Sequence, residues 1–532
     1  MEPSSDTTPK KTPIVSKPPK TVSSLSQKGL RLAEGLKILV ITSELGGFSK
    51  SGGLADAVGA LSQQLVRMGH DLRVITPAYA SVEQRNQAST VVDSLGVPLD
   101  SGEIWCRVLE SSLEIEPGAG FPKVPVYLVE HEHFYSRKDF YGENGQEYPD
   151  NAQRFGFLSK AALQLGLALN WIPDIFHAHD WHAALVPYFL QQIRKIDSRF
   201  RKSRSILTIH NAGYQGRYPG YLKSWLKIDD ADFHPDCFED FGGVNLLKGG
   251  MLSADQVNTV SPGYAEELKT PLGGHGLHPF YQRLKQDFSG ILNGCDYGQW
   301  NPEIDPHLPA NYSSSDRRGK VLCKTTLLEE AGLKYQSGTP LIGMVSRLTG
   351  QKGFSFLIPA LQEILEMDLQ LVLLGDGEPG IADALKKIRK SGAGKFYFKQ
   401  GYDNRLAHLI EAGCDLYLMP SLYEPCGLNQ IYSLRYGTLP IVRKVGGLKD
   451  TVEDYRNAKA HGNGFMFEEP TEEALIQVMR KALQTFQSHP KIFKKMISDA
   501  MNQRFLWENS AKSYQKLYFK ALSSQALERP RF

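Results

Sequence analysis

At 532 residues the chain is too long for one ordinary domain and comfortable for two of about 200–250 residues. Its 41% hydrophobic and 22% charged residues suit a globular protein in water, and a formal charge of +3 is too near balance to argue for a nucleic-acid partner. No apolar run approaches the roughly 20 residues of a membrane span. Six scattered cysteines without a C-x-x-C pair argue against a zinc site or a disulfide framework and suit a reducing compartment.

Residues 1–35 are rich in Ser, Thr, Pro and Lys and poor in large apolar side chains, so they are expected to stay disordered. They contain no apolar stretch of a secretory signal. We read them as a plain extension on a cytoplasmic protein; a plastid transit peptide is the alternative, which the single Arg31 and the Pro-Lys repeats fit badly.

From residue 36 strand-like and helix-like stretches alternate. Residues 37–42 read as a buried strand, and Leu54, Val58, Leu61 and Leu65 mark a helix. Between them lies Lys50-Ser51-Gly52-Gly53-Leu54-Ala55-Asp56. Two glycines at a helix start, beside a lysine, make a place to hold a phosphate or carboxylate, and Asp56 can take a sugar hydroxyl. The same pattern also describes a tight turn with a solvated lysine. Further strands are expected over 72–76, 124–129, 174–177, 205–209 and 257–260, with helices over 152–169 and 183–193. Such alternation predicts a parallel sheet with ligands beyond its C-terminal strand ends. His177-Ala178-His179-Asp180-Trp181-His182 falls at one such end; a strand end is a poor metal site, and no metal is expected there. Asp229-Asp230-Ala231-Asp232 reads as surface loop rather than a metal motif.

Turn-rich residues 291–315 are read as a junction. A second alternating set follows, with strands over 341–345, 369–374, 396–399, 416–420 and 439–442. Arg347 and Lys352 share one strand-to-helix loop and together match a diphosphate. Glu424 ends a strand just before Cys426-Gly427-Leu428-Asn429, where a helix start can meet a phosphate and the carboxylate can accept from sugar hydroxyls. Lys444-Val445-Gly446-Gly447-Leu448-Lys449-Asp450 echoes the first glycine loop, which points to two Rossmann-type domains across a cleft.

In combination these motifs resemble the bacterial-type glycogen synthases and plant starch synthases over roughly residues 36–525. The resemblance rests on Lys-x-Gly-Gly-Leu at 50–54, His-Ala-His-Asp-Trp-His at 177–182, Thr-Ile-His-Asn at 208–211, Asn293-Gly294-x-Asp296-Tyr297, Ser-Arg-Leu-Thr-x-Gln-Lys-Gly at 346–353, Glu-Pro-Cys-Gly-Leu at 424–428 and Gly-Gly-Leu-x-Asp-Thr-Val at 446–452. It implies an α/β chain of two Rossmann-like domains facing a deep cleft (GT-B), at 36–290 on the acceptor side and 316–505 on the nucleotide-sugar side. The last helix, within 506–532, would dock back on the first domain.

The implied reaction is retaining transfer of glucose from ADP-glucose to the 4-hydroxyl of an α-1,4-glucan, without cofactor or metal; the residues alone do not separate ADP- from UDP-glucose. The implied catalytic set is Glu424, His179, Arg347, Lys352 and Lys50. Donor contacts would come from these and from Gly52, Gly53, Asp56, Asn293, Tyr402 (on the base), Cys426, Gly427, Leu428 and Asn429. Asp150, Asn151 and His179 would line the acceptor side. Ala55 and Asn429 stand where the family often has Gly and Thr. Competing readings are a related glycosyltransferase with another sugar or acceptor, a retired glucan-binding scaffold, and a nucleotide-sugar epimerase.

Overall fold

The computed structural model describes residues 35–115, 121–143, 145–392, 394–456 and 461–531; residues 1–34 of the tail lie outside them. Among the described residues no helix is long and apolar enough to cross a membrane.

The first sheet contains β1 (Lys37–Ile41), β2 (Asp71–Pro77), β3 (Ser89–Leu99), β4 (Gly102–Leu113), β5 (Val124–Glu130), β6 (Ile175–His179), β7 (Arg204–Ile209), β8 (Gln256–Thr259) and β9 (Phe288–Gly290). Their order is β9-β8-β7-β6-β1-β2-β5-β4-β3. Pairing is parallel from β9 to β5, while β4 pairs antiparallel with both β5 and β3. The antiparallel edge departs from the parallel sheet expected. Only Asp100 and Ser101 separate β3 from β4, and Asp100 takes φ +53. A link that short makes a hairpin and cannot hold a crossover helix.

The second sheet is parallel throughout: β10 (Leu341–Leu348), β11 (Gln370–Gly377), β12 (Phe396–Gln400), β13 (Leu416–Met419), β14 (Leu439–Arg443) and β15 (Phe465–Phe467), in the order β12-β11-β10-β13-β14-β15. Both sheets thus contain a point where successive connections leave in opposite directions. In the first it lies between β1 and β6; in the second, between β10 and β13. Connecting helices turn away from each other there and leave a crevice beyond the strand ends. In the second sheet the gap begins early. β10 and β13 pair only at Ile342↔Leu416 and Gly343↔Tyr417, then part.

The helices that bear on the site are α1 (Gly53–Arg67), α2 (Asn151–Ala168), α3 (Pro262–Leu268), α4 (Asn404–Gly413), α5 (Asn429–Tyr436), α6 (Gly446–Thr451) and α7 (Trp507–Ser523). α1 forms because Ala55, Val58, Leu61, Ser62 and Leu65 fall on one buried face over the first sheet. The chain crosses between the sheets twice, side by side, where the Cys295 N–H donates to Phe505 O at 2.7 Å. After the second crossing α7 puts Ala511, Tyr514, Leu517, Tyr518 and Ala521 into the core of the first sheet.

A directional chain of hydrogen bonds anchors α7. Thr208 Oγ1 donates to Asn258 Oδ1 at 2.7 Å, so it accepts from His177 Nε2, also at 2.7 Å. That leaves His177 Nδ1 to accept from the Tyr518 hydroxyl at 2.9 Å. Burial pushes the His177 pKa down to about 3, so the ring is neutral and this tautomer is fixed. Tyr518→Phe leaves that buried nitrogen without a donor. It should lower unfolding free energy by about 1–3 kcal/mol in urea denaturation; a loss below about 0.5 kcal/mol would contradict the anchoring role.

Candidate active site

The loops after β1, β6, β10 and β13 carry the polar residues the sequence singled out. Beyond β10, the Lys352 ammonium lies 2.6 Å from Glu424 Oε2, which also accepts from Ser421 Oγ at 2.9 Å. Glu424 is 6% exposed, so this pair is largely shielded from water. The two loops that carry it are stitched together. Leu422 N–H donates to Gln351 O at 2.8 Å, and Gln351 Nε2 donates to Tyr423 O at 3.2 Å. Gly353, at φ +79, has no room for a side chain because a Cβ there would collide with Pro420 O. Arg347 is exposed at the end of the same strand, close enough for its charge to act on Tyr423. Gly427 turns the chain at φ +70 into α5, whose start no side chain caps.

The two glycine loops resemble each other in sequence and differ in structure. At Gly52 and Gly53 an added Cβ would meet no atom of the described residues within 4 Å, and Gly52 has an extended backbone that any residue adopts. Neither packing nor conformation requires glycine there, so the bare backbone is open to something outside the chain. Its first two N–H groups are not open. Glu44, a buried residue just past β1, accepts from Ser51 N at 2.6 Å, Ser51 Oγ at 2.6 Å and Gly52 N at 3.3 Å. The Tyr141 hydroxyl also donates to it, at 2.7 Å. Lys50 pairs with Asp56 at 2.8 Å on the surface of the same loop rather than reaching across the cleft.

The echo loop is filled. A Cβ at Gly446 would strike Glu424 O, and one at Gly447 would strike Cys426 O. Gly447 N–H donates to Glu424 O at 3.0 Å. Gly446 N–H is taken by Glu267 of the first domain at 2.7 Å, while Asp450 accepts from Gly263 N at 2.6 Å. Ser261 Oγ donates to Pro425 O at 2.5 Å. The second Gly-Gly pair therefore shapes the 424–426 turn and docks α6 on α3.

On the facing side, β6 delivers His179 and Asp180. His179 is buried and neutral, with Nδ1 2.9 Å from His210 Nε2 and no partner for Nε2 among the described residues. Asp180 takes φ +55, a costly conformation for a non-glycine residue. It is held there by its own carboxylate, which accepts from His210 N at 2.6 Å and Asn211 N at 3.3 Å. Burial raises its pKa to about 7. The hydroxyl of Tyr423, the neighbour of Glu424, lies over Gly213 beside Asn211, where a Cβ at Gly213 would come within 2.9 Å of it. His275 packs edge-on to the same ring at 4.8 Å. Tyr423 thereby packs the Glu424 loop against the first domain.

Asn293 sits where the chain crosses between domains. It is buried, with no partner for Oδ1 among the described residues. Burial pushes the Cys426 thiol up to about 12, so it is no nucleophile at neutral pH. Asn429 opens α5 and donates to the Tyr417 hydroxyl at 2.7 Å. Tyr402 is 77% exposed at the far end of the second sheet, its hydroxyl on Asn404. Asp150 and Asn151 belong to a separate network at the start of α2. Asp150 is clamped by Arg137 at 2.5 and 2.7 Å, and Asn151 is fully buried between Arg154 and Tyr141 O. His182 is packed among Trp181, Tyr141 and Phe155. Among the described residues no three His, Cys, Asp or Glu side chains are grouped to hold a metal ion.

Glu44, Glu267 and Tyr423 are the residues that sequence reasoning missed. The signal for Glu44 was its place, the one charged residue of the short polar run Thr42-Ser43-Glu44 just beyond an apolar first strand. The difference between the loops makes an opposed pair of expectations. Gly53→Ala should keep the wild-type melting temperature within about 2 °C and lose substrate affinity, whereas Gly447→Ala should lower melting by about 4 °C or more. Equal melting of the two variants would remove the distinction.

Comparison with known proteins gives the same outline. The family model described as "Starch synthase catalytic domain" matches residues 37–283, and "Glycosyl transferases group 1" matches residues 329–498. A glycogen synthase of Aeromonas salmonicida is 44% identical over 92% of this chain and 99% of its own. Glycogen synthase 1 of Geobacter sulfurreducens is 44% identical over 92% and 96%. The catalytic domain of starch synthase IV from Arabidopsis thaliana, solved with ADP and acarbose bound, superposes with a TM-score of 0.82 at 32% identity, covering 92% of this chain and all of that one. The chain belongs to the glycogen synthase and starch synthase family, glycosyltransferases of the two-domain GT-B fold.

Proposed function

We propose that this chain elongates an α-1,4-glucan, taking glucose from ADP-glucose and adding it to the non-reducing 4-hydroxyl with retention at the anomeric carbon. The observation that carries the reading is the shielded Lys352–Glu424 pair at the β10/β13 crevice, beside Arg347 and an uncapped helix start. Here the donor's diphosphate takes Lys352 from Glu424. The new partner is a stronger, doubly charged anion, and Arg347 and the N–H groups of Gly427, Leu428 and Asn429 converge on it. Glu424, released, accepts hydrogen bonds from the glucose hydroxyls. Breaking the pair without a replacement would strand a buried carboxylate, so the exchange is coupled to donor binding.

As the bond from C1 to the phosphate oxygen breaks, negative charge grows on the diphosphate. Arg347 and Lys352 meet it with pre-organised positive charge. The acceptor's 4-oxygen attacks C1 from the same face, and its proton passes to the departing phosphate oxygen. That route needs no carboxylate on the opposite face, unlike the covalent route of retaining glycosidases. Neutral His179, with Nε2 unpartnered, and Asn293 contact the transferred glucose. Tyr402 packs on the base, Lys50, Gly52, Gly53 and Asp56 face the donor from the other domain, and Asp150–Asn151 border the acceptor. The partners are then ADP-glucose and a glycogen- or starch-like glucan, in the cytoplasm or, if the tail is an address, a plastid.

The test is incorporation of labelled glucose into glycogen from ADP-glucose and UDP-glucose, with and without EDTA. Strong EDTA-insensitive incorporation from ADP-glucose is expected, and Lys352→Ala should lower kcat by about 10²–10³. Preference for UDP-glucose would overturn the donor; no incorporation with glycogen still bound would favour a scaffold.

A further inference from the structure

Where β10 and β13 part, the backbone of Val345 has lost its strand neighbour on that side. The Tyr417 hydroxyl takes the neighbour's place. Val345 N–H donates to it at 3.0 Å, and Val345 O lies 3.3 Å away. Val345 is two residues before Arg347 on the same strand. The same hydroxyl accepts from Asn429 Nδ2 at 2.7 Å, and Asn429 is the first residue of α5. Glu411, from α4, completes the group. Its Oε1 accepts from Asn429 Nδ2 at 3.4 Å, beside the shorter bond of the same amide to Tyr417.

Glu411 is an odd residue for this place. It is fully buried, and its Oε2 has no hydrogen-bond partner among the described residues. The nearby buried Lys320 does not pair with it. That ammonium donates instead to Ala412 O at 2.8 Å, Tyr436 O at 3.1 Å and Thr438 Oγ1 at 2.8 Å. Burial alone holds the carboxyl well above the usual range, and so neutral. A half-satisfied carboxyl is a poor core residue, and an aliphatic side chain would be the more stable choice. What Glu411 does in this structure is hold the Asn429 amide on the Tyr417 hydroxyl.

We propose that Glu411 and Tyr417 are positioning residues for the nucleotide crevice: they fix Asn429, and with it the start of α5, against the strand that carries Arg347. Neither would touch the donor. They set the spacing between the two elements that meet its diphosphate, across a gap that the backbone pairing of the sheet does not span. The inference rests on the proposed use of Arg347 and the α5 start as the diphosphate site.

The experiment is calorimetric titration of ADP, and separately UDP, into the full chain and into Glu411→Gln, Glu411→Leu, Tyr417→Phe and the Glu411→Leu/Tyr417→Phe double variant. Melting temperature and the KM for a maltooligosaccharide acceptor are measured alongside. The double variant should bind ADP about tenfold more weakly, the worth of one or two hydrogen bonds. Its acceptor KM should be unchanged; Glu411→Leu alone should melt at the wild-type temperature or above, and Tyr417→Phe, which strips Val345 N–H and Asn429 Nδ2 of their acceptor, below it. Glu411→Gln keeps a carbonyl acceptor and should stay within about twofold of wild type. Wild-type ADP affinity in the double variant would overturn the inference, as would a Gln variant as weak as the Leu variant. Should the double variant not fold, the singles decide, at about threefold each. A wild-type chain that binds neither nucleotide would instead remove the functional reading, and the inference with it.

Discussion

A parallel sheet whose connections reverse direction must leave a crevice at the reversal, and everything at this site depends on that constraint. It occurs here twice, between β1 and β6 and between β10 and β13. The four loops that leave those strands hold Glu44 and the first glycine loop, His179 and Asp180, Arg347 and Lys352, and Glu424. The second crevice is deepened because β10 and β13 pair over a short stretch only, and side chains do the work of the missing ladder.

Charge within the site is arranged as exchangeable pairs. Lys352 is held by Glu424, Lys50 by Asp56, and the first two N–H groups of the Gly52 loop by Glu44. The Lys50–Asp56 pair lies in water and is worth little. The Lys352–Glu424 pair is shielded, so losing either member without replacement is costly. Shielding thus separates a pair that substrate must replace from one that any ion can disturb. The first domain supplies Ser261 and Glu267 to the second across the cleft, and each grips a residue within or against the Glu424 turn.

Much of this was legible in the sequence because short apolar runs and glycine punctuation report local structure. The interior strands lie within about three residues of where hydrophobic runs place them, as expected for buried parallel strands. The β3–β4 hairpin was missed, although Leu99-Asp100-Ser101-Gly102 between alternating stretches is its signature; the expectation of a crossover hid it. The two glycine loops read alike because sequence shows the missing side chains and not what fills the space. Only the structure separates Gly52 and Gly53, with nothing above them, from Gly446 and Gly447, pressed on Glu424 and Cys426. Glu44, Glu411 and Tyr417 look like ordinary strand-end, helix and strand residues, since their partners come from other elements. Asp150 and Asn151 show the converse, a motif match whose polar atoms serve Arg137, Arg154 and Tyr141 in this structure.

The central claim is that a nucleoside diphosphate replaces Glu424 as the partner of Lys352. The most direct measurement is a crystal structure of the full chain with ADP bound. The account requires the β-phosphate to lie within hydrogen-bond distance of Lys352 Nζ, Arg347 and the α5 start, with the 2.6 Å contact between Lys352 and Glu424 opened. ADP seated in the crevice with that contact intact, or seated elsewhere, would contradict it.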